Sequence, residues 1–202
     1  MSAGEVFLTD CLKECTWTLV ERQSEAETRE NGGSIVALGR PYWAMTAQYE
    51  HLDDTAFRLL TAWIARRKRA RVSFTAWRPD RPAPVLAPSI TNSGLAISGI
   101  SIAGATISLT GLSTNVISPG DMLGYSTLAG GYWVGMATAT AVPTTGAATV
   151  NVWPPPQTEH GTENMRLLKA LGEFQMVGDP SMSETSSRTR SLSFNARQVI
   201  RV

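Results

Sequence analysis

Few residues in this chain stand at spacings that could do chemistry. Its two histidines, His51 and His160, lie far apart in sequence, each in a polar, turn-like stretch. The two cysteines, Cys11 and Cys15, share one short segment with no second Cys or His pair near enough to complete a zinc-ligand pattern, so they are expected to be reduced. Glu50, Asp53 and Asp54 gather carboxylates as an acid–base or calcium site would, but they precede a helical pattern whose first turn favours negative charge, and capping explains them more simply. Asp121 follows Pro119-Gly120, where aspartate is an ordinary turn residue. There is no GxxxxGK[ST] phosphate loop, no GxSxG elbow and no HExxH helix, and the glycines from Gly94 to Gly104 are spaced as turns between strands. The expectation is a protein that is not an enzyme and that uses no cofactor or metal.

Two other constellations could bind rather than react. Arg66, Arg67, Lys68, Arg69 and Arg71 form a basic run beside Trp63, Phe74 and Trp77, the composition of a nucleic-acid stacking surface. A solvated helix end, or a contact with an acidic neighbouring subunit, needs fewer assumptions. The formal net charge of +1 supplies no overall attraction to a polyanion, so no specific nucleic-acid partner is expected. Tyr125, Tyr132, Trp133 and Trp153 are candidate contacts to a glycan or to a protein partner, because amphipathic aromatics are favoured at interfaces.

The elements that must position these groups follow from periodicity. Cys15 to Arg22 alternates as a strand. The Glu-rich run after it and Asn31-Gly32-Gly33 read as a loop closed by a tight turn. Residues 34–38 and 41–49 read as a short strand and a longer one. Ala56, Phe57, Leu60, Trp63 and Ile64 recur on one helical stripe, with Asp53 or Asp54 as N-cap and the basic run suiting the negative end of the helix dipole. Residues 71–77 alternate again.

Four prolines between Pro79 and Pro88 then mark a stiff, extended linker. From Ile90 to Val152 the chain is rich in Gly, Ser, Thr, Ala and Ile and poor in charge, which suggests short, tightly turned strands in a small β-barrel or sandwich ending at Trp153-Pro154-Pro155-Pro156. Residues 166–177 read as one or two strands, 179–189 as a polar, serine-rich loop, and 190–202 as a terminal strand or pair that needs a partner sheet. The chain is therefore expected to be mainly β with one principal helix (α+β). A discontinuous outer domain (1–88 plus 158–202) would surround an inserted β-barrel-like domain (89–157). No stretch reaches the roughly 18 apolar residues of a membrane-spanning helix, and the N-terminus lacks the apolar core of a secretory signal. Synthesis in the cytoplasm and no membrane partner are expected.

The segments GRPYW (39–43), YEHLDDTAFRLLTAWIARRKR (49–69) and VSFTAWRP (72–79) resemble, in their order of strands and helix, the N-terminal half of bacteriophage distal tail proteins and related tail-tube modules. SPGDMLGY (118–125), YWVGMATATA (132–141) and GAATVNVWPPP (146–156) are similar to small β-barrel insertions of phage tail-tip proteins. The resemblance implies a tail-tube-like β-sandwich flanked by a helix. It also implies a structural virion protein of the tail tip, made in the host cytoplasm, that forms a hexameric homo-oligomeric ring joining the tail tube to the baseplate hub and receptor-binding apparatus. The alternative is a carbohydrate-binding module for host-surface attachment. The loops at 24–33 and 179–189 are the expected interface elements.

Overall fold

Strand β1 (Leu12–Val20) turns Trp17 inward with Cys15 and Leu19 while Thr16 and Thr18 face solvent, the period-2 pattern of a strand with one covered face. In this computed structural model, which describes residues 12–21, 23–28, 32–37, 39–127, 131–157, 165–184 and 190–200, the same pattern recurs in β4 (Tyr42–Leu52). There Trp43, Met45, Ala47, Tyr49 and Leu52 are buried. The Glu-rich run expected as a loop is instead strand β2 (Gln23–Thr28), paired antiparallel with β3 (Gly32–Ala37) in a separate two-stranded sheet. Its strongly polar residues hid the strand, because a hairpin outside the main sheets needs no apolar alternation.

Helix α1 (Asp54–Ala70) begins where the Asp53 carboxylate accepts the Ala56 N–H at 2.6 Å. It ends at Arg71 in the left-handed region, with φ 49°. Leu60, Trp63 and Ile64 are buried and Ala56 and Phe57 pack beside them, as the stripe predicts. Strand β5 (Phe74–Ala76) has all three residues buried, so its alternation does not separate an inside from an outside.

The chain then builds β6 (Ala96–Ser101), β7 (Thr106–Thr110), β8 (Met122–Ser126), β9 (Tyr132–Ala137), β10 (Ala148–Trp153) and the two-residue β11 (Met165–Arg166). These form one antiparallel sheet in the order β11-β8-β9-β10-β7-β6. It curls into a half-barrel around Ile97, Ile107, Leu109, Leu123, Val150 and Val152. This core reaches beyond 89–157 at both ends, to Ala87 and to Met165 and Leu167. Asn92 fastens those ends together: its carbonyl oxygen accepts the Leu167 and Leu168 N–H groups, both at 2.9 Å, and its amide donates to the Leu168 carbonyl at 3.0 Å.

Strands β12 (Gly172–Glu184) and β13 (Arg190–Gln198) return to the first sheet, whose order is β1-β4-β13-β12-β5. The last strand thus lies in its middle. β12 runs through Gly178, Asp179 and Pro180 as a bulge between Val177 and Ser181, so the first half of the segment expected as a polar loop is strand; residues 185–189 lie outside the described residues. Among the described residues the molecule is mainly β, with one helix and two large antiparallel sheets.

One face of the five-stranded sheet carries Trp17, Trp43, Tyr49, Phe74, Phe174 and Phe194, covered by α1, which adds Trp63 to this aromatic core, and by Met122, Val134 and Met136 of the half-barrel. Gln198, 3% exposed, joins the two sheets. It accepts the Trp43 N–H and donates to the Val134 carbonyl, each at 3.1 Å, so its buried amide has both partners it needs. The opposite face presents Thr16, Thr18, Thr46, Gln48, Asn195 and Arg197 toward solvent, with the Thr46 hydroxyl donating to Asn195 at 2.8 Å.

Candidate interaction surface

The carboxylates singled out for acid–base work are engaged in structure. Asp53 caps the helix. Asp54 pairs with Arg58 one turn on, at 2.8 Å, and with Arg190 of β13, whose hydrogen bond holds its carboxyl below the usual range. Glu50 binds Lys13 across the β1–β4 pair. Asp121, 2% exposed, accepts the Val85 N–H at 2.9 Å and the Ser118 N–H at 2.7 Å, so its charge fixes the proline linker to the half-barrel. His51 is exposed just ahead of the helix; His160 and Cys11 lie outside the described residues. The Cys15 thiol is pushed up to about 11, chiefly by burial, which keeps it protonated and unreactive near neutral pH. Among the described residues no group of three or more His, Cys, Asp or Glu side chains converges.

The four aromatics do not form a common surface. Tyr125 and Trp133 are fully buried, which corrects their reading as glycan or partner contacts. β8 and β9 are covered twice, by the half-barrel interior on one face and by the five-stranded sheet on the other, so aromatics on them become core. The two residues are register partners with ring centroids 5.1 Å apart. The Trp133 indole donates to the Pro155 carbonyl at 3.2 Å and the Tyr125 hydroxyl accepts the Gln157 N–H at 3.3 Å. Tyr132 and Trp153 are half-buried, and the Trp153 indole donates to Glu21 at 2.9 Å.

The basic run is likewise divided. Arg67, only 7% exposed, donates to the Ser73 carbonyl at 2.9 Å and lies over the Trp63 ring, so it cannot serve in an exposed patch. Its position was legible: 60, 63, 64 and 67 continue one helical stripe. Lys68 pairs with Asp179 of the β12 bulge, while Arg66, Arg69 and Arg71 are exposed.

What the fold brings to this helix end comes from elsewhere in sequence. A cavity of about 530 Å³ is lined by Arg67, Lys68, Arg71, Gln175 and Arg197 with the start of the bulge. A second, of about 540 Å³, is lined by Gly39, Arg40, Tyr42, Gln198, Val199 and Ile200, and it shares Gln175 and Arg197 with the first. These two residues are register partners on β12 and β13, so the cavities adjoin across them on the open face. Arg40, Gln175 and Arg197 escaped sequence reasoning. The detectable signal was the alternation of β13, in which buried Leu192, Phe194 and Ala196 place Arg197 outward.

The five-stranded sheet also has sides with no strand neighbour among the described residues. Among the described residues β1 pairs only with β4, along Leu12–Val20. β12 pairs with β5 only over Gly172–Phe174, so its remaining length has a strand neighbour on the β13 side alone. Comparison of the chain with protein-family models and with curated proteins finds no match.

Proposed function

We propose that this chain is a structural ring subunit of a phage tail tip, without catalytic activity, that connects the tail tube to the baseplate and receptor-binding apparatus. The observation that supports this most directly is the pair of edges on the five-stranded sheet that have a strand neighbour on one side only among the described residues, β1 at one end and β12 from Gln175 to Met182 at the other. An exposed edge is a row of unpaired donors and acceptors that recruits another strand. Two different edges on opposite sides of one sheet make a heterologous contact, which closes into a ring when the rotation per subunit allows it. The order of strands and helix over residues 39–79 supports the phage setting, and the sixfold count rests on that resemblance. The glycan-module alternative has lost two of its four aromatics to the core, and no observation favours it.

The test is the mass of the purified chain at micromolar concentration, measured by mass photometry beside a Thr16→Lys/Thr18→Lys variant. Both threonines are exposed on the β1 edge, and lysine there opposes edge-to-edge pairing without entering the core. A ring-sized species that disappears in the variant is expected. A wild-type chain that stays monomeric both alone and in particle extracts, or a ring that the lysines leave intact, removes the proposal.

A further inference from the structure

Independently of ring formation, we infer that the groove running from Arg40 past Gln175 and Arg197 to Lys68 is a docking site for an acidic polypeptide segment of a partner protein. Among the described residues five cations line its two cavities, contributed by the β3–β4 connection (Arg40), the end of α1 (Arg67, Lys68), its cap (Arg71) and β13 (Arg197), and no described carboxylate lines either one. Two of the five charges are answered within the molecule: Arg67 is turned onto the Ser73 carbonyl, and Lys68 meets Asp179 at the rim. Arg40, Arg71 and Arg197 are exposed and form no ion pair among the described residues. The helix dipole does not account for them, because the end of a helix carries only about half a negative charge and its last turn already contains Arg67, Lys68 and Arg69. Arg71 closes the helix through its backbone N–H, which leaves its guanidinium free to serve the groove. In a chain of net charge +1, three such cations on one face are a local field rather than a share of a general excess.

The class of partner follows from what else lines the groove. Two adjoining open cavities exceed what one small anion fills, so the ligand is extended. A single-stranded nucleic acid gains its affinity from aromatic platforms as well as from cations. Here Trp63 and Phe74 are buried, and Trp77 is half-buried under the Lys169 ammonium at 5.0 Å, which leaves Tyr42 as the aromatic lining among the described residues. Gln175, which lines both cavities, donates through its side-chain amide to the Arg71 carbonyl at 3.2 Å, and its amide oxygen remains an acceptor that a peptide N–H can use. Cations spaced along a floor with a side-chain acceptor for backbone N–H groups suit alternating carboxylates on an extended chain.

The probe is fluorescein-labelled deca-glutamate, titrated with the full-length chain at low salt and followed by anisotropy. It is compared with labelled deca-thymidylate, and with two double variants that change equal charge: Arg71→Glu/Arg197→Glu in the groove and Arg66→Glu/Arg69→Glu on the helix outside it. The expected result is saturable binding of the acidic peptide that weakens by about tenfold or more in the groove variant and by less than about threefold in the helix variant. All four positions are exposed, and Arg71→Gln/Arg197→Gln supplies the same comparison should the reversals fail to fold. Equal weakening by both doubles, tighter binding of the oligonucleotide than of the peptide, or no saturable binding overturns the inference.

Discussion

The two cores of this molecule are built on opposite plans. The half-barrel fills itself with Ile, Leu and Val from one continuous stretch, Ala87 to Leu167, and its single described ring pair is Tyr125 with Trp133. The five-stranded sheet fills its core with rings drawn from both ends of the chain: Trp17 meets Phe174 at 4.8 Å, Trp63 meets Phe74 at 5.1 Å, and Phe194 lies 6.1 Å from Phe74 and 6.3 Å from Tyr49. A local core needs no long loop to close before its contacts form, whereas a core of distant rings is complete only after residues far apart in the chain have met. Large rings suit the second plan, since each buries 150–250 Å² and adds about 0.5–1.5 kcal/mol per well-placed pair. The lesson is that the inserted unit is stabilised by its own continuity, and the outer sheet by a few aromatic contacts of long range.

The sharpest way to break the comparison is to remove one of those rings. Phe174→Ala deletes a fully buried side chain that contacts both Trp17 and Phe74, and it is expected to lower stability by about 3–5 kcal/mol in urea unfolding. Ile107→Val in the half-barrel should cost only about 0.5–1.5 kcal/mol. Comparable losses in the two variants would show that the cores share their load more evenly than their composition suggests.

The seam between the units gives the next effect. A Cβ on Gly172 would stand 2.3 Å from Val134 Cγ1 and 2.9 Å from a ring carbon of Phe174, so Gly172→Ala must push β12 away from β9. A cost of about 1–3 kcal/mol is expected, with the near-UV signal of the aromatic core altered. A neutral substitution would mean that the seam is loose enough to yield. The smallest effect tests the helix, which shares the covering of the aromatic core with the half-barrel. Asp53→Ala removes the cap on the Ala56 N–H and should cost about 1 kcal/mol, read as a lower melting temperature with unchanged unfolded baseline.

Elements whose local pattern and tertiary role agree were legible in the sequence. Helix α1 announced its cap and stripe, and β4 alternated because one of its faces is polar and open. β2 was missed because its polar sequence lacks the apolar alternation by which a strand is read. The distal part of β12 was missed because Gly178 and Pro180 mark turns in most contexts, and here they sit in a bulge. Tyr125 and Trp133 looked available because nothing local reveals that β8 and β9 are covered on both faces; that depends on where residues 172–198 return. The groove was hidden for the same reason. Its cations come from positions 40, 71 and 197, which only the completed sheet brings together, while the basic run that drew attention contains one residue that belongs to the core.

The central place of β13 carries a consequence for how the chain is made. About 140 residues separate Leu52 at the end of β4 from Arg190 at the start of its neighbour, so translation at about 5–20 residues per second leaves the inner flank of β4 waiting roughly 7–30 s. The half-barrel can mature on the ribosome during that interval. The outer sheet then completes by accepting its middle strand last, which makes the nascent β4 the place where a chaperone, or a stray strand from another polypeptide, would compete.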